Sequence, residues 1–388
     1  MKIAFFHDHI ITQKNNVLYS SGGLNKQVIA RYLNLCDRFT LVTRNNNVRS
    51  VDNLSIIESL DKINYKAIPD LSSLRIKKYK EAYQLLSVVI EENDFLIIRL
   101  PSLIGFLAMY ITLKKQKKNI IELVGCPLDS YKYVGYKGKI IALPLYWLTK
   151  YLIKKAHSVL YVTQSFLQSR YPTKTPLNIG CSDVDIEIIS NNKLENRLKK
   201  LKVNKKYIKI GMIGSLEAKY KGYDTVIKAL SLLKQRNKFD FKLELVGGGA
   251  SVHIDKLLSR SVVKDHVTIK GTLSHPAGIF DWLDNIDIYL HPSRTEGLPR
   301  SLAEAMSRGC ACIGSNVGGI PELIAPQYLH EKNDFSKLSK LIEILFNIEE
   351  RKKNILKNFE KVSNYDKKIL DTKRFDFYMK AIKFDTLK

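Results

Sequence analysis

Two glutamates, Glu296 and Glu304, are spaced like a pair of carboxylates that binds hydroxyl groups. Glu296 follows an apolar run and a short loop, and Glu304 lies one turn inside a helix predicted over residues 300–308. Pro299 suits the first turn of that helix and Gly309 suits its end. Each carboxylate can accept hydrogen bonds from two vicinal hydroxyls. The structural alternative is that Glu296 caps the helix and Glu304 is a solvated helix residue.

The first turn of the same predicted helix offers groups that bind an anion. The backbone N–H groups of Arg300 and Ser301 have no acceptor within the helix, and the helix dipole places positive potential there. Arg300 adds a cationic side chain, and Leu298 directly precedes this turn. We therefore expect Leu298, Arg300 and Ser301 to contact a phosphate-bearing ligand.

A second candidate anion site follows the apolar run 210–213. Gly214 and Ser215 open a turn there that contains Lys219 and Lys221, and a predicted helix follows it. Ligands of parallel sheets bind at the carboxyl ends of strands, so an ammonium in this turn can neutralise a phosphate. The alternative is that Lys221 is a solvated turn residue.

A glycine pair, Gly22 and Gly23, follows the first apolar strand. Paired glycines let a backbone approach a pyrophosphate closely at the start of a helix. Residues 9–21 are predicted to form a long polar loop placed to meet a second substrate. Residues 7–9, His-Asp-His, end the strand, and any of them can assist a hydroxyl; the alternative is an ordinary hydrogen-bonded strand end.

Together these motifs resemble the retaining nucleotide-sugar glycosyltransferases of the GT-B fold. More narrowly, they resemble family 4 of the glycosyltransferases, which make capsule, lipopolysaccharide and glycolipid sugars. The resemblance rests on Glu-x7-Glu after His-Pro-Ser (291–293) and on Gly-Ser-Asn-Val-Gly-Gly-Ile-Pro-Glu-Leu-Ile (314–324). It is strongest over residues 205–330 and weaker, but consistent, before them.

The resemblance implies a nucleoside diphosphate sugar donor, with UDP as the expected nucleotide, and a glycan or lipid-linked acceptor. It places Glu296 on the donor sugar, Glu304 on the ribose and Lys221 on the diphosphate. Gly22 and Gly23 then face the donor phosphates. The same resemblance adds Gly214, Ser215 and Lys219 to the donor contacts and places Thr272 beside the base. Members are thought to react on one face of the sugar, so that the leaving phosphate draws the acceptor proton.

The chain departs from the family pattern at three places. Ser215 stands where an arginine is usual, and one residue is inserted before Lys221. The second cation of the phosphate clamp is then either Lys219 or Arg300. Residues 121–127 contain no histidine where family members often carry one.

Other nucleotide and metal motifs are incomplete. The chain has no G-x-x-x-x-G-K-[ST], which argues against a P-loop kinase or ATPase. Gly-Gly-Gly at 247–249 lacks the G-x-G-x-x-G spacing of a dinucleotide site, so we interpret it as scaffold near the donor. Asp183-Val-Asp185 spells a D-x-D, which we interpret as a linker rather than a metal site. We therefore expect no metal and no cofactor, with the leaving group neutralised by Lys221, Arg300 and helix N–H groups.

Short apolar, β-branched runs alternate with helical patterns along the whole chain, which predicts doubly wound parallel sheets. The rhythm restarts near residue 209 after a basic stretch. The sequence predicts an N-terminal acceptor domain over 1–185, a C-terminal donor domain over 186–350, and helices over 351–388 that pack toward the N-terminal domain. Two such domains place a cleft between them.

The formal net charge of the 388 residues is +25. Residues 1–188 carry 26 basic and 15 acidic side chains, whereas residues 251–350 carry 10 and 13. Because the excess is regional and aromatics do not interleave with basic residues, it favours an anionic membrane or acceptor over nucleic acid. The basic segments 75–80 and 146–155 look amphipathic, and the alternative for each is a solvated helix face.

The five cysteines form no C-x-x-C pair, and the N-terminus carries no secretory signal, so we expect reduced thiols and a cytoplasmic protein. From the basic segments we expect it to be peripheral on the inner face of the membrane. Pro101 divides the apolar stretch 95–113 into a strand and a helix rather than a membrane span. The predicted function is retaining sugar transfer. The alternatives are a nucleotide-sugar 2-epimerase of the same fold and a non-enzymatic protein that binds an anionic surface or nucleic acid.

Overall fold

The computed structural model describes residues 1–20, 24–45, 51, 54–73, 75–133, 135–184, 186–201, 206–236, 240–274 and 276–384. The chain divides into two compact units. The first contains Met1–Cys181 and Asp371–Lys388, and the second contains Ser182–Leu370. Each unit is built on a largely or wholly parallel sheet with helices, which confirms the predicted fold class of two Rossmann-like α/β domains.

The first unit contains nine strands. They are β1 (Lys2–Lys14), β2 (Val17–Ser20), β3 (Arg38–Asn45), β4 (Ser55–Ser59), β5 (Ile63–Ile68), β6 (Phe95–Leu100), β7 (Asn119–Leu123), β8 (Ser158–Tyr161) and β9 (Asn178–Gly180). The parallel part runs β5-β3-β1-β6-β7-β8-β9, and β2 and β4 extend β1 with antiparallel pairing. Strands buried on both faces explain the near-continuous apolar runs.

Helices cover this sheet and follow its strands. They are α1 (Lys26–Leu33), α2 (Ile76–Glu92), α3 (Leu103–Lys114), α4 (Pro127–Tyr131), α5 (Gly135–Lys155) and α6 (Phe166–Arg170). The apolar stretch around Pro101 is divided into β6 and α3, as predicted, and α3 buries residues on most of its faces. Within the described part of the chain, no helix is both long and apolar enough to span a bilayer.

The predicted polar loop over residues 9–21 is wrong for residues 9–20. Strand β1 continues to Lys14 and pairs antiparallel with β2, with Ile11 opposite Ser20. Asn15 and Asn16 form the two-residue turn, with φ of 47° and 60°. Asparagine tolerates this left-handed conformation, which the favoured hairpin turns require. Apolar residues such as Ile11 and Leu18 alternate with polar ones in these two strands. The polar residues made the segment look like a loop.

The second unit contains six strands. They are β10 (Ile208–Ile213), β11 (Phe241–Val246), β12 (Val267–Gly271), β13 (Ile288–His291), β14 (Ala311–Ser315) and β15 (Leu329–His330). All pair in parallel in the order β12-β11-β10-β13-β14-β15. Numbered within the unit, this is 3-2-1-4-5-6, the order of dinucleotide-binding sheets. The order reverses between β10 and β13, so a ligand crevice is expected at their carboxyl ends.

In the described part of the chain after β9, eight α-helices are present. They are α7 (Asn191–Lys200), α8 (Tyr223–Gln235), α9 (Val252–Leu258), α10 (Ala277–Leu283), α11 (Arg300–Ser307), α12 (Phe335–Phe346), α13 (Ile348–Ser363) and α14 (Lys367–Lys383). The basic stretch near residue 191 forms α7, which packs onto the second unit because the Arg197 guanidinium donates to the carbonyls of Gly309 and Asp284 at 2.6 and 2.9 Å. Helix α14 begins in the second unit and continues into the first.

Candidate active site

The two candidate anion and carboxylate motifs follow neighbouring strands. Lys221 lies in the loop after β10, and Glu296 lies in the loop after β13. These strands pair in parallel, with Ile210 opposite Ile288, so both loops leave the same edge of the sheet. The strand order therefore brings together two motifs that are 75 residues apart in the chain.

Lys221, Glu296 and His291 form one hydrogen-bonded cluster. The Lys221 ammonium donates to Glu296 Oε1 at 2.6 Å, and His291 Nε2 lies 2.9 Å from the same oxygen. A carboxylate can only accept, so Nε2 of His291 carries the proton in this contact. The side chains of Lys221 and Glu296 are 16% and 14% exposed, and His291 is buried. The cluster is thus largely shielded from solvent, with a small exposed fraction left on Lys221 and Glu296.

The electrostatics of the cluster hold Glu296 ionised and His291 neutral. Burial by itself raises the pKa of Glu296, but the Lys221 charge and the His291 hydrogen bond outweigh it and lower that pKa to about 2. Burial lowers the pKa of His291, against the opposing effect of Glu296. At neutral pH the site therefore presents a carboxylate beside an ammonium, oriented by a neutral imidazole.

Two glycines shape the path of the Lys221 side chain. A Cβ at Gly214 would lie 3.0 Å from Lys221 Cγ, so the lysine stem packs directly over this glycine. Gly222 has φ of 80°, and a Cβ there would lie 2.3 Å from the carbonyl oxygen of Pro292. Gly222 needs to be glycine because its loop touches the loop after β13 through the backbone, whereas Gly214 leaves room for the lysine stem.

Gly318 supports the backbone of Glu296. It has φ of 57°, and a Cβ there would lie 2.1 Å from the Glu296 carbonyl oxygen. The next residue, Gly319, donates its N–H to the Gly297 carbonyl at 2.7 Å. The glycine pair of the 314–324 motif therefore fixes where Glu296 sits.

Arg294 joins the loops on the other side of the cluster. Its Nη2 donates to both carboxylate oxygens of Asp224, at 2.7 and 2.6 Å, in a charge-assisted contact. The guanidinium also donates to the side-chain oxygen of Asn333 at 2.6 Å, and the Arg294 backbone N–H donates to the Tyr220 carbonyl at 2.7 Å. Arg294 thus ties the Lys221 turn to the loop that carries Glu296.

The predicted helix after the Glu296 loop is present as α11, and Gly309, with φ of 70°, ends it. Arg300 is exposed at its first position, Ser301 follows, and Glu304 is buried one turn later. Pro299 at the N-cap makes no side-chain cap hydrogen bond, so the first amides of α11 depend on another acceptor. Leu298 is buried directly before this turn.

The loops after β10, β11 and β12 are bonded to one another at the same sheet edge. Leu216 N–H donates to the Gly248 carbonyl, and a Cβ on Gly248 would lie 3.1 Å from Thr272 Oγ1. Ser215, Lys219 and Thr272 are exposed on these loops. The edge therefore presents the predicted donor contacts to solvent on one scaffold.

Other residues named from the sequence lie either outside the described part of the chain or in the first unit. Gly22, Gly23 and Asp185 fall outside the described residues. In the first unit the carboxylate of Asp8 accepts from the N–H groups of Leu103 and Ile104 at 2.6 and 2.8 Å, so it caps α3. Among the residues that the structure describes, no group of three histidine, cysteine or acidic side chains is arranged to hold a metal ion.

The 121–127 segment, which lacks the family's histidine, carries a buried Glu122 on β7. Its carboxylate accepts from Arg99 Nε at 2.9 Å and from the Tyr32 hydroxyl at 2.9 Å, and the Tyr378 hydroxyl of α14 also donates to it. These contacts compensate a buried charge. They tie the end of the chain to the first sheet.

Sequence reasoning missed three residues that position the cluster, namely His291, Arg294 and Gly318. All three lie inside segments quoted for their family pattern, and His291 closes the strand five residues before Glu296. The strand-end histidine was a usable signal for an orienting group. The contact between Arg294 and Asp224 spans 70 residues, and nothing local in the sequence indicates it.

Comparison with known proteins shows which family the chain resembles. The protein family described as "Glycosyl transferases group 1" matches residues 194–362, which contain the whole cluster. Protein CapJ of Staphylococcus aureus is 33% identical over 397 residues, covering 98% of each chain. A Campylobacter jejuni N,N'-diacetylbacillosaminyl-diphospho-undecaprenol alpha-1,3-N-acetylgalactosaminyltransferase is 27% identical over 266 residues, which is 64% of this chain and 67% of the relative.

A solved structure shares the fold over nearly the full length. The crystal structure of HepE from Anabaena in complex with UDP aligns with a TM-score of 0.67 at 14% identity, covering 98% of this chain and 100% of that one. At this identity the similarity shows the fold alone, the GT-B fold with its two Rossmann-like domains.

Proposed function

The chain belongs to the group 1 glycosyltransferases, and we propose that it moves a sugar from a nucleoside diphosphate donor to a hydroxyl of a glycan or lipid-linked acceptor. We further propose that the configuration at the anomeric carbon is retained and that no metal takes part. The observation that carries the proposal is the buried cluster of Lys221, Glu296 and His291 at the point where the strand order reverses.

In this proposal Lys221 and Arg300 neutralise the donor diphosphate. The Lys221 ammonium has three N–H groups and uses one on Glu296, so others remain for phosphate oxygens. Arg300 and the first amides of α11, including that of Ser301, add a cation and helix-terminal donors. The exposed Ser215 and Lys219 border the same edge beside Gly214, and Thr272 lies toward the base.

Glu296 holds the donor sugar in this account. Among the described residues, its two donors, Lys221 and His291, both use Oε1, so Oε2 is directed to accept sugar hydroxyls. The low pKa of Glu296 keeps it an acceptor throughout the physiological range. Glu304 on α11 is assigned to the ribose hydroxyls.

The reaction then needs no dedicated base. The bond between the anomeric carbon and the phosphate oxygen breaks, the acceptor oxygen bonds to that carbon on the same face, and the acceptor proton passes to the leaving phosphate. Lys221, Arg300 and the α11 amides stabilise the charge that develops on the diphosphate. Gly22 and Gly23 are proposed to approach these phosphates.

Two of the similar proteins support the proposed classes of donor and acceptor. The Campylobacter transferase is named for an undecaprenyl diphosphate-linked acceptor, and HepE was solved with UDP. We propose a UDP sugar as donor and a polyprenyl-linked glycan as acceptor, in the synthesis of a capsule or another cell-surface polysaccharide. The family match favours transfer over epimerisation or non-enzymatic binding.

The test is a screen of nucleotide sugars with the purified full chain. Donors are first ranked by thermal shift, since a ligand that binds the native state raises the unfolding temperature. The stabilising donor is then incubated with polyprenyl-linked glycans, and the product linkage is determined by NMR. We expect an acceptor-dependent product with the donor's anomeric configuration. Inverted configuration would contradict retention, and interconversion of the donor sugar without acceptor would support an epimerase.

A further inference from the structure

Helix α5 presents a row of large apolar side chains to solvent. The row lies on one helix face, at spacings of three or four residues: Tyr136, Ile140, Leu143, Trp147 and Tyr151. Each is more than half exposed, with Tyr136 at 79% and Ile140 and Trp147 at 60%. Another face of the same helix buries Leu152 and Ile153 in the core of the first unit. The packing of the core therefore does not use the side chains of the row.

The row continues into an apolar groove of about 600 Å³ between α3 and α5. Leu148 and Tyr151 line the groove from α5, and Leu107 and Tyr110 line it from α3. Tyr110 is itself about half exposed. Contiguous apolar surface of this kind on a soluble unit marks a place where a partner binds.

Lysines border this apolar surface. Helix α5 contains five lysines and no acidic residue. The Lys150 ammonium lies 4.8 Å from the ring centre of Tyr146 and 5.2 Å from that of Trp147, and the Lys114 ammonium lies 4.7 Å from the ring centre of Tyr110. A partner that fits this surface has an apolar layer beneath an anionic polar layer.

We propose that the α5 row, the groove and the bordering lysines form a docking surface for a bilayer that contains anionic lipid. Tryptophan and tyrosine prefer the interface between lipid and water, and a helix with one apolar face and basic flanks lies in that plane. Lysine side chains reach the headgroups while their stems cover apolar surface. A second copy of the chain fits poorly, because two-fold pairing of this face would oppose lysines to lysines.

This surface goes beyond the proposed function and does not depend on it, because it lies wholly in the first unit. The basic segment 146–155 is thus only part of the surface, because the exposed apolar row begins ten residues earlier, at Tyr136. Binding is therefore expected to combine insertion of side chains with attraction between charges. Each part has its own experimental signature.

Trp147 makes the insertion measurable. The chain has two tryptophans, and the other, Trp282, is buried and donates to Glu244 at 2.7 Å. In a full-length Trp282→Phe chain, vesicles of phosphatidylcholine with phosphatidylglycerol should shift Trp147 emission to shorter wavelength, and brominated acyl chains should quench it. Pure phosphatidylcholine vesicles should bind far less, and high salt should release the protein.

Matched variants separate the two contributions. Ile140→Ser and Leu143→Ser should each weaken vesicle binding by about tenfold, and Lys150→Ser by about fivefold. The control is Val252→Ser, at an apolar residue of the second unit that is 74% exposed, and this variant should bind like the parent. Equal binding to neutral and anionic vesicles, or unchanged binding by Ile140→Ser, would overturn the proposal. A dimer in the absence of lipid with Trp147 shielded would assign the surface to a second copy instead. Donor thermal shift is measured in parallel, so a failed transferase proposal is recognised separately.

Discussion

At the scale of single residues, the site consists of one carboxylate whose charge is set by its neighbours. Lys221 and His291 share Glu296 Oε1, and Gly318 and Arg294 hold the loops that carry the pair. The sequence predicted Lys221 and Glu296 because each sits in a recognisable motif. It did not predict their direct ion pair, because that contact depends on which strands are neighbours in the sheet.

The pH dependence of stability tests this pairing. The pKa of Glu296 is about 2 in the folded chain, and its ordinary value is 4.5. The ionised carboxylate therefore stabilises the folded state fully above pH 4.5, and this stabilisation is lost as the pH falls through 2. Between about pH 5.5 and about pH 3, wild type should therefore lose about 2 kcal/mol more unfolding free energy than Glu296→Gln.

The measurement is denaturant unfolding of the second unit, followed through Trp282 in a Trp147→Phe background. Glu349→Gln, an exposed glutamate on α13, is the control and should keep the wild-type slope. Parallel pH profiles of unfolding free energy for wild type and Glu296→Gln would show that Lys221 does not lower the pKa of Glu296 in the folded state.

At the scale of elements, periodicity predicted most strands and helices because both sheets are buried on two faces. The hairpin of β1 and β2 was missed because an antiparallel extension carries polar residues on its solvent side, and only the Asn15–Asn16 turn signals it. Helix α14 was expected to pack toward the first domain. The contact that anchors it there joins Tyr378 to Glu122, two residues that are 256 positions apart in the chain. No local pattern encodes such a contact.

This anchor carries a stability prediction. Tyr378→Phe removes a hydrogen bond to the buried Glu122 carboxylate, so it should lower the unfolding free energy of the first unit by about 1.5–3 kcal/mol. Amide hydrogen exchange of strands β6 and β7 reports the unfolding of this unit. Tyr136→Phe, at an exposed tyrosine, should change it little. A loss no larger for Tyr378→Phe than for Tyr136→Phe would mean that α14 is held by apolar packing alone.

At the scale of the whole molecule, most of the basic residues behind the net charge of +25 lie outside the segments that carry the Glu296 loop. The Glu296 loop and α11 lie in the nearly neutral block, whereas α5 carries lysines around exposed aromatic residues. The sequence indicated where the basic excess lies. The exposed row became visible only when the folded helix showed which of its apolar side chains the core leaves out.

The central claim is that Glu296 and Lys221 carry sugar transfer, and the most direct test is the initial transfer rate of single variants with the donor and acceptor found in the screen. Glu296→Gln and Lys221→Ala should each lower that rate by about 100-fold or more, since each removes a charged contact with the donor. The matched controls, Glu349→Gln and Lys357→Ala on the exposed side of α13, should transfer at the wild-type rate. Folded Glu296→Gln or Lys221→Ala protein with near wild-type turnover would contradict the account.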